Sequence, residues 1–177
     1  MADVVDPTLR YNRGARLFHM VIAVLVIANI ALGLLHDPLE HTINLIAPHK
    51  SIGVTILVLS VLRLFWRFRW RTPDYRVPLT RGTLILSRAV HWSFYGLMIV
   101  LPLTGWLFTS VAKRPTTWFG LFRLPPLPVH KGDPIVDLSH QGHTLLGYAM
   151  AALVVLHVAA ALRHQFILKD GLLRRMW

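Results

Sequence analysis

His143 and His157 stand fourteen residues apart, separated by the uncharged run T-L-L-G-Y-A-M-A-A-L-V-V-L. Imidazole is the commonest side-chain metal ligand. Fourteen helical residues rise about 21 Å and turn about 1400°, which is about 40° short of four full turns. Both rings therefore point the same way, one near each side of a hydrocarbon core about 30 Å thick. A polar ring in lipid is costly and marks function. Two on one face, one per leaflet, predict two stacked cofactors held inside a helix bundle.

Such rings need elements that cross the membrane. The chain has 177 residues, of which 54% are hydrophobic and 15% charged, with a mean hydropathy of +0.51. That balance is foreign to a soluble domain of this size. Four runs are long enough to span a bilayer, at about 17–36, 47–66, 87–108 and 142–165. The fold expected is all-α, an integral membrane four-helix bundle forming a single membrane domain over 1–177. It leaves no room for a soluble catalytic module. Residues 1–16 are polar and the first apolar run lacks a small-residue cleavage site, so no cleaved signal peptide is expected. Cysteine is absent. Thiolate ligands, iron–sulfur clusters and covalently attached c-type haem are thereby excluded, and histidine is left as the metal ligand.

The net charge of +11 is unevenly placed. Fourteen of the 19 cationic residues fall in the N-terminal segment, in the stretch from Arg63 to Arg88, and in the C-terminal segment. By the positive-inside rule, both termini and the 67–86 loop are cytoplasmic. The basicity reads as an orientation signal and as contact with anionic lipid, not as a nucleic-acid surface. The run R-L-F-W-R-F-R-W-R at the end of span two reads as an interfacial anchor with snorkelling arginines. Asn29, at mid-depth in span one, is expected to bond to a neighbouring helix. The segment 109–141 is read as a long outer loop. Its aromatic residues Trp118, Phe119 and Phe122 predict a cap lying over the outer end of the bundle.

Depth sorts the histidines. His49 and His143 lie near the outer face, and His19, His91, His157 and His164 near the inner. His164 is about 31 Å of rise beyond His143, at the water boundary, and reads as an interfacial residue. His140 faces away from the His143/His157 side and reads as a loop or capping residue. His36, His41 and His130 are assigned to outer loops. The partner of His157 stays open between His19 and His91. Gly53 follows His49 by four, and Gly147 follows His143 by four, so each shares a helix face with its histidine. A planar macrocycle bound to either histidine would lie against that glycine. The competing explanation is close helix packing by small residues. Zinc would want four compact ligands. A proton relay or transporter would place carboxylates within the spans, and all eight acidic residues lie outside them.

These motifs resemble the bacterial cytochrome b561 family of small di-haem inner-membrane cytochromes. The resemblance rests on Y-N-R-G-A-R-L-F-H ending at His19 and on H-K-S-I-G-V-T-I-L-V-L-S-V-L-R-L from His49. It continues in H-W-S-F-Y-G-L-M-I-V-L-P-L-T-G from His91, W-F-G-L from Trp118, H-T-L-L-G-Y from His143 and H-V-A-A-A-L-R-H from His157. It covers nearly the whole chain. It implies two b-type haems, the outer held by His49 and His143 and the inner by His19 and His157. It also implies quinone as a substrate, ubiquinone or another, in the bacterial inner membrane, and at least one member looks like a superoxide oxidase.

The function expected is transfer of electrons between a periplasmic-side donor, superoxide for one, and membrane quinone. The alternative is a haem-bearing anchor subunit that relays electrons for a dehydrogenase or hydrogenase. Lys113, Arg114, Arg123 and Lys131 are the candidates to attract superoxide or an acidic partner. Each read singly is a solvated loop charge. The outer side balances five cations with four anions, which makes no strong funnel for an anion.

Overall fold

The computed structural model describes residues 10–70, 73, 80–111 and 116–176. Four long helices dominate it: α1 (Arg13–Leu39), α2 (Ile46–Arg69), α3 (Arg81–Thr109) and α4 (Pro134–Leu162). All four are long and apolar enough to cross a membrane. The chain is a membrane four-helix bundle.

Each start has a local cause. Asn12 Oδ1 accepts the Ala15 N–H at 2.8 Å and caps α1, and Thr80 Oγ1 accepts the Thr83 N–H at 3.3 Å and caps α3. Pro134 opens α4 at a position where its missing N–H costs nothing. α4 ends by widening into a π-helical turn, Arg163–Leu168, which stops at Lys169 in a left-handed conformation (φ 51°).

The bundle is apolar outward. Val24, Leu145 and Val155 are each more than 60% exposed, while the buried apolar centre is small: Ile22, Val26, Ile56, Tyr95, Met98 and Met150. That inversion suits a lipid solvent. With no hydrophobic drive between helices, close packing and polar contacts hold them together. α1 packs along α2, α2 along α3 and α3 along α4, whereas α1 and α4 scarcely touch. A seam between α1 and α4 is the result.

The helices outrun the expected spans, with consequences for three histidines. α1 continues to Leu39, so His36 belongs to its last turn and not to a loop. α4 begins eight residues before the expected span, because Pro134 and the capping position at Asp133 start it early. His140 is therefore helical, its ring 4.8 Å from that of Phe108. His164 has a partner. Its Nδ1 lies 2.5 Å from Asp170 Oδ2, and its side chain is only 20% exposed.

The segment expected as one long loop is shortened and carries a hairpin, β1 (Thr117–Trp118) paired antiparallel with β2 (Phe122–Arg123). Phe119 (φ 46°) and Gly120 (φ 76°) turn it. It is strapped to α2. Ser51 Oγ accepts the Phe119 N–H at 3.0 Å, and the Trp118 indole donates to Thr55 Oγ1 at 3.0 Å. The following chain is tied to the end of α3, where Trp106 donates to Pro125 O and Ser110 Oγ accepts the Leu127 N–H, both at 3.0 Å. The opposite end gathers the two termini: Tyr11 N donates to Arg175 O at 3.2 Å, and Arg175 donates to Pro73 O at 2.5 Å. The two ends are called the hairpin end and the termini end below.

Candidate functional site

Near the hairpin end, all four helices line a cavity of about 520 Å³, a size typical of sites for small molecules and cofactors. His49 from α2 and His143 from α4 meet in it. Their ring centroids are 6.0 Å apart with planes at 80°. A metal–imidazole bond of about 2 Å puts a ring centroid about 3 Å from the metal, so two rings across one metal have centroids about 6 Å apart.

The carbonyls around these rings decide their tautomers. His49 Nδ1 is 3.0 Å from Asn29 O, and His143 Nδ1 is 3.0 Å from Leu101 O, with Thr104 Oγ1 at 3.2 Å. A carbonyl only accepts, so Nδ1 carries the proton in both rings and Nε2 presents its lone pair. This is how a metal-ligating histidine is normally oriented.

The two anchors are built alike. On α1, Asn29 supplies the carbonyl and Gly33 follows by four; on α3, Leu101 supplies it and Gly105 follows by four. A Cβ on Gly33 would stand 3.1 Å from His49 Cε1, and one on Gly105 would stand 3.1 Å from His143 Cε1. Glycine at i+4 bares the carbonyl at i, so a ring from the next helix can reach it. Asn29 thus bonds to the neighbouring helix, as expected, and does so through its main chain. Residue type does not assign Gly33, Gly105 or Thr104 to the site, since every residue carries a carbonyl and only the fold shows which are bared.

Gly53 and Gly147 line the same cavity. A Cβ on Gly147 would meet nothing within 4 Å, and one on Gly53 only Asn29 Nδ2 at 3.7 Å. Neither glycine lies under a tightly packed neighbour. His36, Lys50 and His140 also line the cavity, and His36 Nδ1 is buried with no hydrogen-bond partner. His36 falls seven residues after Asn29, on the same face of α1. That periodicity was its signal. Of the loop cations, Arg123 is exposed on β2 and Lys131 is exposed before α4; Lys113 and Arg114 lie outside the described residues.

At the termini end, His157 has two imidazole neighbours. His19 from α1 is 6.4 Å away between centroids with planes at 77°, and His91 from α3 is 5.8 Å away at 83°. His91 Nδ1 is 2.6 Å from Ser87 O on its own helix. His19 Nδ1 faces the Arg63 guanidinium at 3.4 Å. Among the described residues, no group of three or more His, Cys, Asp or Glu side chains is placed to hold a metal ion. A metal bound by such imidazole pairs brings its own equatorial ligands, as iron in a tetrapyrrole does.

Comparison with known proteins agrees with this geometry. Residues 10–177 match the family described as prokaryotic cytochrome b561. The chain is 31% identical over 175 residues to "Cytochrome b561 homolog 2" of Escherichia coli (strain K12), covering 94% of this chain and 90% of that one. It is 32% identical over 129 residues to "Probable superoxide oxidase CybB" of Yersinia pestis, covering 72% of each. It is 26% identical over 130 residues to "Cytochrome b561 homolog 1" of Escherichia coli (strain K12), covering 72% of each. With four membrane-spanning helices and imidazoles gathered near both ends of the bundle, the chain belongs to the prokaryotic cytochrome b561 family, bacterial multi-pass membrane proteins of electron transfer that carry b-type haem.

Proposed function

We propose that the chain is a di-haem relay that carries electrons from superoxide at the hairpin end to membrane quinone, ubiquinone or another. His49 and His143 hold one haem, and His19 and His157 hold the other. One observation carries the reading: α4 presents two histidines on one face, and each meets an imidazole from another helix at a separation that suits a bridging iron. The relative named as a probable superoxide oxidase supports the choice of donor.

The residues present fit the group. Gly53 and Gly147 open onto the cavity where a side chain would fill it. The two Nδ1 tethers hold Nε2 toward the cavity, and Val26, Ile30, Leu97, Met98 and Met150 give it an apolar wall. Bound haem iron would supply a one-electron couple there, with His49, His143, His19 and His157 the residues that would hold it. The chain's own part is to fix the ligands, supply an apolar wall and space the two levels by about 21 Å of rise along α4. The charge asymmetry supports an orientation with the hairpin end toward the periplasm and the termini end toward the cytoplasm.

Distance does not separate His19 from His91 as the partner of His157. Packing favours His19: α3 lies close along α4, whereas α1 and α4 are held apart with a seam between them. His91→Ala therefore keeps two haems per chain in a reduced-minus-oxidised spectrum. Loss of the termini-level haem would move its ligation from His19 to His91.

Stopped-flow mixing of the purified protein with superoxide tests the function. The b-type absorption band of reduced haem rises on mixing with superoxide and decays when ubiquinone is added. A protein that superoxide leaves oxidised, yet that an electron-donating partner reduces, is an anchor subunit instead.

A further inference from the structure

Arg63 is oddly placed for an interfacial arginine. α2 ends at Arg69, so Arg63 sits about 9 Å of rise inside the helix, beyond the last turn where the helix dipole favours a cation. It is half-buried and turned into the bundle, not out to lipid headgroups. Its guanidinium lies 3.4 Å from His19 Nδ1 and 5.6 Å from the centre of the Tyr95 ring, itself 6% exposed.

Arg67, one turn on, lies 5.7 Å from the centre of that same ring and 5.7 Å from that of Trp92. Two like charges at i and i+4 repel. Here both approach one aromatic ring, that of Tyr95, near the His19, His91 and His157 imidazoles. Among the described residues, no carboxylate pairs with either arginine. Asp37, Glu40, Asp133 and Asp137 belong to the hairpin end, and Asp170 is engaged by His164 and by the Leu172 N–H. A half-buried charge without a counter-ion is costly, so this cluster is built for an anion.

We propose that Arg63 is the counter-charge of the termini-level haem, its guanidinium holding a haem carboxylate while Tyr95 and Arg67 hold the guanidinium in place. The inference rests on the di-haem reading above. A guanidinium matches a carboxylate with two parallel hydrogen bonds, which a lysine cannot reproduce. The contact with His19 is long. It also points a donor at Nδ1, the nitrogen that carries the proton when a histidine ligates through Nε2. Arg63 is thus better served by a carboxylate than by His19. A positive charge beside the haem stabilises the reduced form, so Arg63 raises the potential of that haem alone.

The test is a dye-mediated redox titration of the purified holoprotein, together with resonance Raman spectra of the haem-carboxylate bending modes. Arg63→Gln lowers the reduction equilibrium of one haem about tenfold, which is about 59 mV for a one-electron couple, and shifts its carboxylate modes. The other haem serves as an internal reference. Arg63→Lys restores most of the potential but not the carboxylate modes. Should Arg63→Gln fail to retain that haem, retention of it by Arg63→Lys, with the carboxylate modes shifted, supports the same conclusion. Unchanged carboxylate modes in Arg63→Gln, or equal shifts in both haems, would overturn it. A wild-type protein with a single haem per chain would instead sink the di-haem reading on which the inference stands.

Discussion

His143→Ala leaves one b-type haem per chain in place of two. The imidazole is the bond donor on the α4 side of the hairpin-end cavity, facing His49 across 6.0 Å between centroids. His140 cannot replace it, because three residues of helix turn it about 60° away and its ring rests on Phe108. Removing an outer-shell partner of a metal ligand costs about 10–100-fold in affinity, and losing the ligand itself costs more. On the proposed assignment the termini-level site draws on His19 and His157, a different set of turns, and keeps its haem. Haem content by pyridine haemochrome, read against protein concentration, checks the stoichiometry. Two haems per chain in the variant would show that the ligand assignment is wrong.

Leucine at Gly53 or Gly147 gives the second large effect, and it separates a haem cradle from a packing contact. At Gly147 a new side chain enters open space, and at Gly53 the sole neighbour is Asn29 Nδ2 at 3.7 Å. The folded chain therefore tolerates either substitution, and yield and thermal stability in detergent stay near those of the parent. The added volume lies in the cavity that the macrocycle needs. Overpacking costs about 1–3 kcal/mol, so the hairpin-level haem binds about 10–100-fold more weakly while the other is retained. A variant with normal haem content and lowered stability would mean that these glycines serve helix packing.

Much of this was legible from side-chain type and helical phase. The apolar runs define the four helices because lipid admits few other spanning structures. The fourteen-residue interval predicts a shared face because the helix repeat is fixed. Pairing was harder. That His49 and His143 meet follows from depth and from glycine phase, whereas the choice between His19 and His91 depends on which helices pack closely, and no local pattern encodes that. The main-chain acceptors were out of reach for a different reason. Every residue has a carbonyl, and only the fold shows which two are bared by Gly33 and Gly105. Arg63 looked like one more cation at the end of span two, because residue type alone does not tell a headgroup contact from a buried counter-charge. The early start of α4, which brings His140 into the helix, was hidden behind the expectation that a polar stretch ends a span.

The matched anchors on α1 and α3 have a consequence for how the cofactor is captured. Each hairpin-end imidazole is already tied through Nδ1, with its tautomer and ring orientation set by a carbonyl of the adjacent helix. Ordering a free side chain on binding costs about 0.5–1.5 kcal/mol. For His49 and His143 most of that ordering belongs to folding, so it does not weigh against haem uptake. On the proposed assignment the two rings are ordered before the cofactor arrives, and uptake is then set by fit more than by adjustment.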